Sequence, residues 1–224
     1  MKSLFIKIFA IFWKDLLAEL RTKEVVTSVL VFALLVIVIF NFAFSAGASI
    51  PELVAPGVLW VAIAFGGVLG FNHIFSVEKG NSRLEGLMLC PVDRAVIYWG
   101  KLAGSLTFIL AVSLVITPIF LALFNLPLLL PSLALVVVLA TLGFATVGTL
   151  FSAIAINTRA RDIMLPILFL PVTVPVIASA IKATALILAG SPWNEMLIWL
   201  QIIIAFDIIY LVVSTLVFEF VIEE

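Results

Sequence analysis

The chain has 224 residues, of which 65% are hydrophobic and only 11% charged, with a formal net charge of −1. A soluble domain carries roughly 25% charged residues, so the polar groups are too few to cover the apolar surface. We therefore predict an all-α integral membrane protein. The pI near 5.8 argues against nucleic acid as a partner, and the single cysteine excludes an internal disulfide.

The first 24 residues have the pattern of an amphipathic helix. Apolar side chains recur at three- and four-residue spacing, at Phe5, Ile8, Phe9, Phe12, Leu16 and Leu20. Charged residues, among them Lys7, Lys14 and Asp15, lie mostly elsewhere. This pattern favours a helix lying in the membrane interface. The alternative is that it extends the first spanning helix.

Six later segments are long and apolar enough to cross a bilayer, which takes about 20 residues. They cover about residues 25–45, 54–75, 102–124, 130–156, 163–181 and 197–218.

Lysine and arginine predict the orientation of these spans. Five lie in residues 1–24, four in 76–101 and two in 157–162, whereas the three opposite loops share one, Lys182. Positive residues stay on the cytoplasmic side of a membrane. Both termini are therefore predicted to be cytoplasmic.

Small residues mark two of the spans. Gly66 and Gly70 form a GxxxG spacing in the second, and Gly143, Gly148 and Ser152 line part of the fourth. Small residues let helix backbones approach closely. The GxxxG pair could form a dimer face or pack within one chain, and the sequence leaves both open.

The fifth span contains Pro166, Pro171 and Pro175. Each proline lacks a backbone donor and clashes with the preceding turn, so we expect this helix to be kinked or broken. The freed carbonyls are tolerated in a membrane only where protein or a cavity satisfies them. The span is therefore predicted to face protein or a polar path.

Between the second and third spans lies a charged loop. Residues 78–101 hold seven of the chain's 25 Asp, Glu, Lys and Arg residues. Ser82 and Glu85 fit a capping box that would start a short helix. Pro91 would end that helix, and Asp93 would cap the third span. The helix could rest on the bilayer, or it could be a cytoplasmic coupling helix that inserts into a groove of a soluble partner. The predicted docking residues are Ser82, Arg83, Leu84, Glu85, Leu87, Met88 and Pro91.

Motifs of catalysis are missing from the sequence. Gly100-Lys101 lacks the earlier glycine and the following hydroxyl of a phosphate-binding loop. One histidine, His73, cannot build a histidine-based zinc site. We predict a non-catalytic chain that binds no cofactor or metal of its own.

Three polar residues remain as candidates. Asp207 lies near the middle of the sixth span, where an acid is costly and a functional candidate. It could instead be protonated, or paired with a Ser, Thr or Tyr hydroxyl for assembly. His73 could be a haem ligand, although a structural hydrogen bond is the simpler interpretation. Cys90 is interpreted as a small apolar residue in the loop.

Three stretches resemble one known family in order and spacing: "KDLLAELRTKE", "APGVLWVAIAFGGVLGFNHIFSVEKGNSRLEGLMLCPVDRAVIYWGKL" and "DIMLPILFLPVTVPVIASA". Together they resemble the haem exporter protein B family, the B subunit of the cytochrome c maturation system.

The resemblance implies a six-helix permease subunit of the ABC-2 type in the cell membrane. It would work as a homodimer with two copies of an ATPase A subunit, with a haem-handling C subunit and a small D subunit. ATP hydrolysis would drive haem delivery or release of a haem-loaded chaperone, with ATP and haem handled by the partner subunits. Residues 82–91 would be the segment that docks on the ATPase.

Three alternatives stay open. The chain could be an ABC-2 permease for another substrate, such as a lipid or polysaccharide. It could be a secondary transporter that uses Asp207, although such transporters have inverted repeats or paired broken helices. It could also be a structural scaffold for the C subunit.

Overall fold

The computed structural model describes residues 2–22, 24–45, 51–80, 93–127, 130–155 and 161–221. These residues form seven helices and no strand. The helices are α1 (Lys2–Thr22), α2 (Glu24–Ser45), α3 (Pro51–Gly80), α4 (Arg94–Leu123), α5 (Pro131–Ala155), α6 (Arg161–Leu188) and α7 (Trp193–Val221).

Six of the seven helices, α2 to α7, are long and apolar enough to cross a membrane. This confirms the predicted all-α architecture with six spans. Hydrogen bonds between distant residues show how the helix ends align. Asn41 of α2 donates to the carbonyl of Leu123 at 2.9 Å, where α4 ends. Arg94, the first residue of α4, donates to the carbonyl of Glu219 at 3.2 Å, near the end of α7.

An aromatic cluster joins α3, α5 and α6 in the core. The ring of Phe144 lies 6.1 Å from that of Trp60 and 5.9 Å from that of Phe169, which in turn lies 5.8 Å from Phe71. All four side chains are fully buried. The Trp60 indole donates to the hydroxyl of Thr184 at 2.9 Å, so its one polar atom is satisfied.

The GxxxG pair of α3 packs within the chain. A methyl group on Gly66 would lie 3.0 Å from Val29 of α2, and one on Gly70 would overlap the ring of Phe108 of α4. Both glycines are buried. Of the two interpretations left open by the sequence, packing within one chain is confirmed for this pair.

The third span begins earlier than predicted. Helix α4 starts at Arg94 rather than near residue 102, because Lys101 is buried at 1% exposure beside Asp15 and does not end the apolar segment. Asp93 occupies the predicted N-cap position, although its side chain makes no capping hydrogen bond.

The fifth span also continues beyond the predicted end at residue 181. Helix α6 reaches Leu188. Lys182 lies on its exposed side, where a long side chain can keep its charged group near water while its methylenes cover apolar surface. A single lysine near the end of a span is therefore compatible with several further helical residues.

The three prolines do not break α6. One continuous helix runs through Pro166, Pro171 and Pro175. Pro171 and Pro175 are exposed on the surface of the single chain. Of the expected kink or break, a break is excluded, and within this chain these two prolines do not face protein.

Candidate functional site

The buried carboxyl group of Asp207 lies where α7 passes α5. Its side chain is only 3% exposed. A methyl group on Gly143 would lie 2.6 Å from Oδ1 of Asp207, with Phe206 and Val176 each 3.5 Å away. Glycine at position 143 leaves room for the carboxyl group, and the two other neighbours are apolar.

Neither carboxyl oxygen of Asp207 has a hydrogen-bond partner among the described residues. Two threonines of α5 that flank Gly143 in the chain use their hydroxyls within the helix. Thr141 donates to the carbonyl of Val137 at 2.7 Å, and Thr146 to that of Leu142 at 2.8 Å. The predicted pairing of Asp207 with a Ser, Thr or Tyr hydroxyl is therefore not found in the described part of the chain.

Further polar side chains lie between α4, α5 and α7. The Tyr98 hydroxyl of α4 donates to the carbonyl of Thr146 of α5 at 3.5 Å, the outer limit for a hydrogen bond. Ser214 of α7 adjoins Tyr98 and is fully buried. Because Ser214 follows Asp207 by two helical turns, the two lie on one face of α7. We call Asp207, Gly143, Tyr98, Thr146 and Ser214 the polar core.

A second feature is an exposed stripe on α6, formed by Ile163, Ile167, Pro171, Val174 and Pro175. Prolines at 171 and 175 have no N–H, so the carbonyls of Ile167 and Pro171 receive no α-helical hydrogen bond. Such carbonyls are costly against lipid and acceptable against protein. The stripe, which we call the proline face, is suited to contact with another subunit.

The predicted coupling helix lies outside the described residues. All of its docking residues, from Ser82 to Pro91, fall in residues 81–92, as does Cys90. The described helices on either side of this segment are α3, which ends at Gly80, and α4, which begins at Arg94. His73 lies in α3, but its side chain is outside the described part. Among the described residues no group of three or more His, Cys, Asp or Glu side chains could hold a metal ion.

Comparison with known proteins decides the family. The family model described as "CcmB protein" matches residues 6–223, nearly the whole chain. The chain belongs to the CcmB family. Curated relatives named "Heme exporter protein B" agree with this assignment. The Pseudomonas aeruginosa protein is 26% identical over 172 residues, covering 76% of this chain and 77% of the relative.

Two further relatives carry the same name. The Haemophilus influenzae protein is 24% identical, covering 75% of this chain and 76% of the relative. The Escherichia coli K12 protein is 28% identical over 94 residues, covering 40% of this chain and 43% of the relative. The CcmB assignment confirms the resemblance seen in the sequence.

Reasoning from the sequence found Asp207 and Gly143 separately but did not pair them. Helix crossings depend on register between segments 64 residues apart in the chain, and hydropathy does not carry that register. The available signal was Gly143 itself, because a small residue in the middle of a span indicates that another group approaches the helix closely there.

Proposed function

We propose that this chain is the membrane permease subunit of an ABC transporter for cytochrome c maturation. ATP hydrolysis by a separate ATPase subunit would be coupled to haem delivery or to release of a haem-loaded chaperone. The observation that carries the proposal is the CcmB family match over residues 6–223. Relatives named for haem export and six candidate spans in this chain support it.

The ATPase would dock on residues 82–91. This segment connects α3 to α4, carries a capping box and one apolar face in its sequence, and lies among the lysines and arginines that predict the cytoplasmic side. Reporter fusions at Gly47, Asn125 and Gly190 should report the opposite side. Activity of a cytoplasm-only reporter at any of them contradicts this orientation.

Two copies of the chain would meet through the proline face of α6. The exposed residues there are apolar, and a second membrane subunit shields from lipid the two carbonyls that lack helical donors. The C and D subunits would complete the complex, and ATP and haem would be handled by partner chains.

The test is the amount of haem covalently attached to c-type cytochromes. Deleting the gene for this chain should abolish haem-stained c-type cytochromes while b-type haem proteins remain. Re-expression of the chain should restore them. Normal c-type cytochromes in the deletion strain would contradict the proposed substrate and leave a lipid or polysaccharide permease as the better explanation.

We predict that substitutions of Asp207 abolish function but leave folding unchanged. A buried carboxyl group with no partner gives the fold nothing that an uncharged group of similar size would not give. Asp207→Asn and Asp207→Leu should therefore both accumulate in the membrane at normal levels. The free energy of unfolding should change by less than about 1 kcal/mol in each. Both should lose haem attachment, since intramembrane acids are retained for function.

Val176→Ala, a change in the apolar wall beside the same niche, serves as the control and should keep haem attachment. If Asp207→Leu disappears from the membrane while Asp207→Asn remains, the carboxyl group instead makes a structural hydrogen bond.

A further inference from the structure

Helix α1 is held against α4 by close backbone approach. It packs mainly on α4. A methyl group on Gly100 would lie 2.7 Å from Cγ2 of Ile11, and one on Gly104 would lie 3.6 Å from Cβ of Asp15. The two glycines are four residues apart and share one face of α4. They form a second small-xxx-small contact, in addition to that of Gly66 and Gly70.

A buried ion pair lies between these two glycines. Nζ of Lys101 is 2.9 Å from Oδ2 of Asp15, and the two side chains are 1% and 12% exposed. Lys14 approaches the other carboxylate oxygen at 3.2 Å. Breaking a buried ion pair is strongly unfavourable. Pulling α1 away from α4 would break this one, so the ion pair resists their separation.

The opposite face of α1 is apolar and exposed. It carries Phe5, Ile6, Phe9 and Trp13, with the rings of Phe9 and Trp13 stacked at 5.9 Å. Aromatic and aliphatic side chains on such a helix enter the boundary between headgroups and acyl chains. One face of α1 is therefore fixed to α4, and the other is suited to the lipid surface.

The ion pair is also close to the loop between α3 and α4. Helix α4 begins at Arg94, after the N-cap residue Asp93, and Lys101 follows two helical turns later.

We propose that α1 and α4 form one rigid unit, and that Lys101 and Asp15 are positioning residues that transmit ATP-driven movement to the lipid surface. The transmission rests on the proposed function, whereas the rigidity of the unit does not. When the ATPase displaces the start of α4, α1 moves with it and shifts its aromatic face in the headgroup layer. An amphipathic helix that did not pack on α4 would keep its position in the membrane interface when α4 moved.

Spin-label distances test this proposal in the full chain with Cys90→Ala, reconstituted with the ATPase subunit and diluted with unlabelled chain. Pair one joins exposed positions on α1 and α4, Phe5→Cys and Leu114→Cys. Pair two joins α1 to α7, Phe5→Cys and Ile208→Cys. On addition of a non-hydrolysable ATP analogue, we expect the pair-one distance to stay constant and the pair-two distance to shift.

Lys101→Ala should broaden pair one and abolish the shift in pair two, while the ATPase still co-purifies. Lys101→Met with Asp15→Leu removes both charges of this pair and puts apolar side chains of similar size in their place, so it should fold and keep pair one sharp. Lys182→Ala, which removes an exposed lysine, should change neither distance.

A pair-one distance that changes with nucleotide, or that stays sharp in Lys101→Ala, overturns the rigid unit. An unchanged pair two with the ATPase bound overturns the transmission. Absence of any bound ATPase contradicts the proposed function instead, and pair one still decides whether the unit is rigid.

Discussion

Replacing Gly148 by alanine is expected to destabilise the chain by about 1–3 kcal/mol, the usual cost of inserting atoms into a packed core. A methyl group at this position of α5 would overlap the ring of Phe71 of α3. That ring cannot move aside freely, because it is fully buried and packs 5.8 Å from the ring of Phe169. Gly148→Leu should prevent accumulation in the membrane altogether.

Thermal unfolding of the purified chain in detergent measures this effect. Gly57→Ala is the matched control, since nothing lies within 4 Å of a methyl group there, and it should change stability by less than about 1 kcal/mol. Phe71→Leu combined with Gly148→Ala removes the overlapping ring and should recover part of the loss. An unchanged unfolding temperature in Gly148→Ala would show that α3 and α5 do not pack this closely.

Replacing Leu87 and Met88 together by alanine is expected to release the ATPase while leaving this chain in the membrane. These residues share the apolar face of the predicted coupling helix with Leu84. Truncating a buried aliphatic side chain costs about 2–5 kcal/mol in a packed contact. Each 1.4 kcal/mol is about tenfold in affinity, so the double change weakens docking by orders of magnitude.

The measurement is the amount of ATPase that co-purifies with the tagged chain. Leu89→Ala is the control, because Leu89 lies on the opposite side of the predicted helix and should keep the partner. Cys90 gives an independent result, since labelling by a thiol reagent should fall when the ATPase is bound. A double variant that keeps its ATPase would contradict the coupling-helix interpretation.

Hydropathy predicted the spans well because crossing a bilayer requires a continuous apolar segment, and six such segments stand out in this sequence. It failed where a charge is neutralised by a distant residue. Lys101 was assigned to the loop, yet it is buried inside the third span. Its partner Asp15 lies 86 positions earlier in the chain, and no local pattern links the two.

The site was predictable in its residues more than in its contacts. Asp207 was identified from its cost inside a span, but its niche opposite Gly143 depends on how two helices cross. The prolines of α6 predict a kinked or broken helix, whereas the helix continues through them and places Pro171 and Pro175 on the surface. Whether a proline faces the core or a partner depends on helix rotation, which a nearly uniform apolar segment does not specify.

The most direct test of the central claim, that this chain is the membrane subunit through which a soluble ATPase acts, is its purification from native membranes in mild detergent. The claim predicts that an ATPase subunit elutes with the chain in a constant ratio and that the complex hydrolyses ATP. A chain that elutes without any ATPase, under conditions in which the membrane complex is otherwise intact, would contradict it.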